Sequence, residues 1–237
     1  MCMKRLFTGV FALVLCMAVA MAVVAAERPL TVVELYTSQG CSSCPPADTF
    51  LGELTERPDI LALAFHVDYW DYIGWKDPFA TPLHTKRQRA FAAKFSQRYV
   101  YTPQMVVQGA YQVVGSDRAD VEEAIGKART IPRLILKLTR DGNQFQVEIP
   151  RSAAHRDVRV LAVFYDKKTS TEVKRGENSG LQMINHHVVR DFDEIAAWNG
   201  KARIIKFKNN RAIGDSTAVL LQTRESGEII GAAYLQP

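Results

Sequence analysis

The apolar positions of this chain change their rhythm once, near Ile131-Pro132, and the predicted elements change with them. Before that point, unbroken apolar runs alternate with stretches of helical spacing. Residues 31–36 and 60–65 read as buried strands, and Pro58-Asp59 breaks the chain between helix and strand. Ala47, Phe50, Leu51 and Leu54 recur at helical spacing over 47–56, as do Leu83, Ala90, Phe91 and Phe95 over 82–97. Met105–Val107 and Tyr111–Val114 read as short strands meeting at Gly109-Ala110. Asp117 is placed to cap a helix over 118–129, with Val121 and Ile125 inward. The predicted order is β-α-β-α-β-β-α.

After Pro132 the period becomes two. Residues 134–139 and 145–149 flank Asp141-Gly142-Asn143, a hairpin signal. Further strands are predicted at 158–165, 186–190, 202–207, 217–223 and 228–235. Their turns are marked by Gly176 to Gly180, Asn199-Gly200, Asn209-Asn210 and Ser226-Gly227. Short strands with this punctuation predict a β-sandwich-like domain over 131–237.

The N-terminus reads as an address. Lys4 and Arg5 precede an apolar run over 6–24, and Val24-Ala25-Ala26 offers small residues before Glu27, so residues 1–26 are expected to be a cleaved signal peptide. No stable membrane insertion is expected after cleavage, and the setting is periplasmic or secreted. Loss of Lys4 and Arg5 takes the net charge from +5 to +3. Such a mild excess predicts no nucleic-acid partner, which would need a clustered basic face. Lys86, Arg87, Arg89 and Lys94 are read as the solvated side of their helix.

Cleavage also removes Cys2 and Cys16, leaving Cys41-Ser42-Ser43-Cys44 as the only thiol pair. In an oxidising compartment these two are expected to bridge. A bridge enclosing two residues restricts the unfolded chain very little, so a stabilising staple is a poor reason for it. The pair lies between a predicted strand and a predicted helix, where backbone N–H groups and the helix dipole favour a thiolate. Cys41 is the expected nucleophile and Cys44 the resolving thiol. Pro45-Pro46 is tolerated at a helix start, although Pro45 disfavours an α conformation for Cys44.

Two other readings use the same residues. Cys41 and Cys44, with His66 nearby, suit a copper- or zinc-handling protein; His186 and His187 point to opposite faces of a strand and cannot join one site. Alternatively, the disulfide stays closed and the segment His66–Pro78, holding Trp70 and Trp75, forms a lid or an aromatic shelf on a binding module.

A C-x-x-C after the first strand, followed by Tyr101-Thr102-Pro103-Gln104 before the third, resembles the thioredoxin superfamily. That resemblance implies an α/β thioredoxin-like N-terminal domain over 27–130, with an aromatic insert at 66–80. It further implies that Pro103 is a cis-proline facing the dithiol and that Thr102 contacts an extended substrate. By the same resemblance Glu34, in the first strand, takes the place of a buried acid that accepts a proton from Cys44; read from its position alone it is equally an edge or salt-bridged carboxylate. The string Val33–Asp48 is more specific, together with His66–Asp71, Tyr101–Val107, Gly115–Arg118, Gly176–Asn178 and His187–Arg190. Through these the chain is similar to a bacterial secreted thioredoxin-like family catalogued as domain of unknown function twelve twenty-three. The function expected is thiol–disulfide oxidoreduction on protein thiols, with protein clients, a separate redox partner and no cofactor.

Overall fold

Strands β1 (Thr31–Thr37) and β2 (Ile60–His66) run parallel near the middle of the computed structural model, which describes residues 29–209 and 213–236. The expected signal peptide, 1–26, lies outside the described residues. The other elements are α1 (Pro45–Thr55), a 3-10 turn at Asp71–Ile73, α2 (Pro82–Lys94), β3 (Gln104–Val107), β4 (Tyr111–Val114) and α3 (Arg118–Ala128). After them come β5 (Leu134–Ile135), β6 (Lys137–Asp141), β7 (Gln144–Ile149), β8 (Val158–Glu172), β9 (Gln182–Trp198), β10 (Arg203–Lys208), β11 (Ser216–Thr223) and β12 (Ile229–Leu235).

Nine strands make one mixed sheet in the order β4-β3-β1-β2-β9-β8-β11-β12-β5, and β10-β7-β6 make a second. This corrects the expected architecture of an α/β thioredoxin-like domain followed by a β-sandwich-like domain. The chain is mostly β, and β2 pairs in parallel with β9 through Ala64 and Val188, so strands from both halves share one sheet. Periodicity predicts that a strand exists and which of its residues are inward. It does not specify which edge of a sheet the strand joins.

The sheet curls. Gln108 ties β1 to the start of β12: its N–H donates to Val32 O (2.7 Å), Val32 N–H donates to its Oε1 (2.9 Å), Ile229 N–H donates to its carbonyl (2.9 Å), and its Nε2 donates to Ile229 O. Inside the curl, Val32, Tyr36, Leu61 and Phe65 meet Leu161, Val163, Leu220 and Ile229, with Phe91 of α2 packed among them. On the opposite face of β1 and β2, Val33, Leu35, Ala62 and Ala64 pack against Phe50 and Leu51 of α1 and Val121 and Ile125 of α3. The small sheet covers the other side of β8, β11 and β12 through Leu138, Phe145, Val147 and Phe207.

Helix α1 begins where its sequence allows. Pro45 and Pro46 occupy its first two positions, where their missing N–H groups would lack partners anyway. Cys44 precedes them in the α region (φ −80°, ψ −35°) despite the preference Pro45 imposes, so the helix starts two residues before the expected 47. Its other end lies close on β9, since a side chain at Gly52 would meet the His186 ring at 2.9 Å. Strands β8 and β9, 15 and 17 residues long, form a hairpin whose tip, 173–181, reaches the start of α1. Gly176, at φ +77°, lets the tip approach to 3.2 Å of Trp75 Cβ from where a side chain would begin.

Candidate active site

Cys41 and Cys44 are bridged by a disulfide, with Cα atoms 5.4 Å apart. The turn enclosing it is closed by Cys44 N–H donating to Cys41 O at 3.2 Å. Ala47 and Asp48 N–H groups donate to Cys44 O at 2.9 and 3.1 Å, so Cys44 is the last residue before the helix. Hydroxyls surround the outer sulfur. Thr102 Oγ1 donates to Cys41 Sγ at 3.3 Å, and Ser43 Oγ lies 3.4 Å from it. The Thr102–Pro103 peptide bond is cis.

Both cysteines are completely covered. Trp70 packs its Cβ toward Gly40, and its indole N–H donates to Thr102 Oγ1 at 2.7 Å. From the hairpin tip, Asn178 Nδ2 donates to the carbonyls of Gln39 (2.9 Å) and Cys41 (3.0 Å), while Glu177 accepts from Ser42 N–H at 3.2 Å. The aromatic loop and the tip thus meet over the disulfide.

Beneath it, on the α1 face of the sheet, lies a buried polar cluster. His66 ends β2 opposite Thr37, and its Nδ1 is 2.7 Å from Asp77 Oδ2. Burial alone would push the His66 pKa down, but Asp77 outweighs it and holds the imidazole above its ordinary range. Burial would likewise raise Asp77, yet His66 and the N–H groups of Gln39 and Phe79 hold it low. Gln39 links this pair to the covering segments: its Oε1 accepts from Trp75 Nε1 (3.2 Å), and its Nε2 donates to Asn185 Oδ1 (3.0 Å).

Asp48 completes the cluster. It stands one helical turn after Cys44, on the same helix face. Thr37 Oγ1 donates to its Oδ2 at 3.1 Å, whereas Asp48 Oδ1, His66 Nε2 and Asn185 Nδ2 are buried with no protein partner. Asn185 faces Asp48 closely enough to lower its pKa but without hydrogen-bond alignment. Burial dominates, and the Asp48 pKa is raised from 3.8 to about 7.

Residues 32–222 match the family described as Protein of unknown function (DUF1223). The chain belongs to that family. Among solved structures, DUF1223 residues here are similar to the crystal structure of protein AGR_C_4864 from Agrobacterium tumefaciens, with 31% identity over 90% of this chain and 96% of that one and a TM-score of 0.78. HBP35 of Porphyromonas gingivalis shares the fold alone, at 15% identity over 89% of this chain and 76% of that one, with a TM-score of 0.58. No curated protein matches.

Within the DUF1223 chain, the sequence-derived residues separate into two groups. Cys41, Cys44, Thr102 and Pro103 come together. Glu34 does not join them: it lies on the inner face of β1 with Val32 and Tyr36, whereas α1 packs on the face of Val33 and Leu35. There Arg87 Nε and Nη2 each donate to the Glu34 carboxylate at 2.7 Å, and Tyr36 Oη donates at 2.8 Å. Arg87 itself corrects a further expectation, being buried across the Phe65, Phe91 and Phe192 rings rather than solvated. His187 Nδ1 lies 2.8 Å from Ala62 O, and His186 lies over Gly52. Among the described residues no group of three or more His, Cys, Asp or Glu side chains is arranged to hold a metal ion. A cavity of about 520 Å³ between α2 and β8, β9 and β11, walled by Lys86, Arg159 and Phe192, does not include the cysteines.

Sequence reasoning missed Gln39, Asp48, Asp77, Asn178 and Asn185. Asp48 carried a usable signal, four residues after Cys44 in a predicted helix. The others are joined by contacts between distant parts of the chain; Gln39, Asp77 and Asn178 lie within segments singled out above, where nothing local assigned them a role.

Proposed function

We propose that the protein is an exported thiol–disulfide oxidoreductase acting on protein thiols through Cys41 and Cys44. The observation that carries this reading is a disulfide with little value as a staple, with two hydroxyls placed at its Cys41 sulfur. It closes only two residues, yet Thr102 directs a hydroxyl at Cys41 Sγ. A client thiolate attacks Cys41 Sγ; the Cys41–Cys44 bond breaks, a mixed disulfide forms, and the Cys44 sulfur leaves with the electron pair. A second client thiolate then attacks the client sulfur, expelling Cys41 as a thiolate. The client is oxidised to a disulfide and the protein is reduced by two electrons. The physiological redox partner is a second protein disulfide, which accepts the two electrons and returns the pair to its starting state. Export is supported by the signal-peptide pattern of residues 1–26.

Because both sulfurs are covered, exchange requires the Trp70–Thr102 and Asn178–Cys41 contacts to part. The same burial favours a second reading, in which the disulfide stays closed on a binding module. The two are separated by reacting the native protein with a dithiol and with an unfolded thiol client. Under the leading reading the disulfide exchanges much faster than the protein unfolds, Cys44→Ser accumulates mixed disulfides, and Cys41→Ser forms none through this site. Exchange only at the rate of global unfolding would overturn it in favour of the closed disulfide.

A further inference from the structure

Between α2 and strands β8, β9 and β11 the inner side of the curl is not filled, and a cavity of about 520 Å³ remains. That volume lies within the range of small-molecule sites, about 300–1,000 Å³. Its walls divide by chemistry. Phe91, Leu161 and Phe192 line it together with Leu83 and Ala90, whereas Arg159 and Lys86 bring positive charge. We propose that this cavity binds a small organic monocarboxylate with an apolar body, its carboxylate held by Arg159. The cysteines are not part of the cavity, so the proposal is independent of the oxidoreductase reading.

Arg159 carries the argument. It stands two residues before Leu161 on β8, on the face that Leu161 and Val163 turn into the curl. An apolar side chain there would need no partner. Instead Arg159 is half-buried, and its Nε is buried with no protein partner. The acceptors around it are already engaged. Its register neighbour Gln222 accepts from Arg87 through Oε1 and donates to Gly227 O through Nε2. Glu34 takes two Arg87 donors, and Glu194 pairs with Arg224. Asp193, also on the wall, has a partner of its own. Burial, with the cations of Arg87 and Arg224, holds the Arg159 pKa below its ordinary range against the pull of Glu194 and Glu34. A buried charged donor left unmade is costly. Beside an empty apolar cavity, the acceptor that completes it comes with a ligand.

The same walls select the head group. An arginine Nε and its neighbouring Nη form a planar fork that matches the two oxygens of a carboxylate. Lys86 adds an exposed cation to that wall. A second negative charge on the ligand is disfavoured, because Asp193, Glu194 and Glu225 line the cavity as well. The body follows from the remaining lining. Phe91 and Leu161 are buried and Phe192 is half-buried, so an apolar chain laid against them is removed from water. Decanoate has both parts and serves as the probe.

The test is calorimetric titration of the full chain, with its disulfide closed, against decanoate, decanol and acetate. Decanoate should bind saturably at one site, decanol about tenfold more weakly, and acetate without measurable heat. Arg159→Met should weaken decanoate about tenfold and leave decanol unchanged. Ala90→Trp, at an exposed position of α2, should weaken both by filling the apolar part. Decanoate should also raise the urea midpoint of the wild type and not that of Arg159→Met. No saturable decanoate binding by the wild type up to about 1 mM overturns the proposal. So does wild-type decanoate affinity in Arg159→Met, which would show that the head group lies elsewhere. If Arg159→Met does not fold, Ala90→Trp decides: unchanged decanoate affinity there places any binding outside this cavity and overturns the proposal.

Discussion

The two faces of β1 and β2 each bury an acid, and they treat it in opposite ways. Inside the curl, both oxygens of Glu34 accept from Arg87, Tyr36 adds a third donor, and Gln222 Oε1 takes a further Arg87 N–H at 3.1 Å. Aromatic rings enclose the guanidinium on several sides. On the α1 face, Asp48 has one donor for two oxygens, and the facing His66 and Asn185 each keep an atom without a protein partner. A fully paired buried ion network holds a fold in one arrangement. An incompletely paired one is costly for stability alone and has charge states left to change. The difference teaches that burial alone does not fix an acid's charge state: Glu34 is fully paired, and Asp48 keeps an oxygen without a protein partner.

The strongest way to break this comparison is Arg87→Met. Removing one partner leaves a buried charge at Glu34, and the expected loss is about 3–5 kcal/mol in urea unfolding. Glu34→Met together with Arg87→Met should recover much of it, because no uncompensated charge remains. A single substitution costing under about 1 kcal/mol would show that the two faces do not differ as argued.

A second, smaller effect separates the faces by pH. The folded Asp48 pKa is raised from 3.8 to about 7, so between those values the native state binds more protons than the unfolded one. The stability this supplies is fully present below about pH 4 and is lost as pH rises to about 7. His66, raised above 6.5, acts in the same sense: its contribution is present below 6.5 and fades as pH passes its folded value. The expected decline between pH 5 and pH 8 is on the order of a few kcal/mol. Asp48→Asn should flatten the part below pH 7 and keep the His66 part. Parallel curves for the two proteins would remove Asp48 from the account.

How much of this was legible depends on the range of the contact involved. Strands at 31–36, 60–65, 105–107 and 111–114 were readable from apolar runs, and Asp117 does cap α3 by accepting from Asp120 N–H at 3.1 Å. The pairing of Ala64 with Val188 was not readable, because an alternating pattern sets a strand's inward face and says nothing of its neighbour. Glu34 shows the same limit: its parity placed it opposite Val33 and Leu35, but not which face α1 would cover. The lengths of β8 and β9 were underestimated because their outer halves mix exposed and buried positions.

The smallest effect concerns the cover, which has no counterpart on the Glu34 side. Trp70→Phe keeps the ring but removes the N–H donated to Thr102. The expected cost is about 1 kcal/mol of contact, seen as a roughly fivefold faster reaction of the native disulfide with dithiothreitol. An unchanged rate would mean that the aromatic loop does not limit access.

The hairpin tip also sets an order of events in the life of the chain. Asn178 lies 137 residues after the Cys41 carbonyl it holds. During synthesis the cysteines therefore precede the hairpin-tip part of their cover by more than half of the chain, and any fragment ending before Asn178 lacks that contact. A partner that meets the pair in the emerging chain meets it without the hairpin tip; one that meets the finished protein meets it with the tip in place. Closing the bridge early and opening it late would thus be different reactions, separated by the arrival of the hairpin tip.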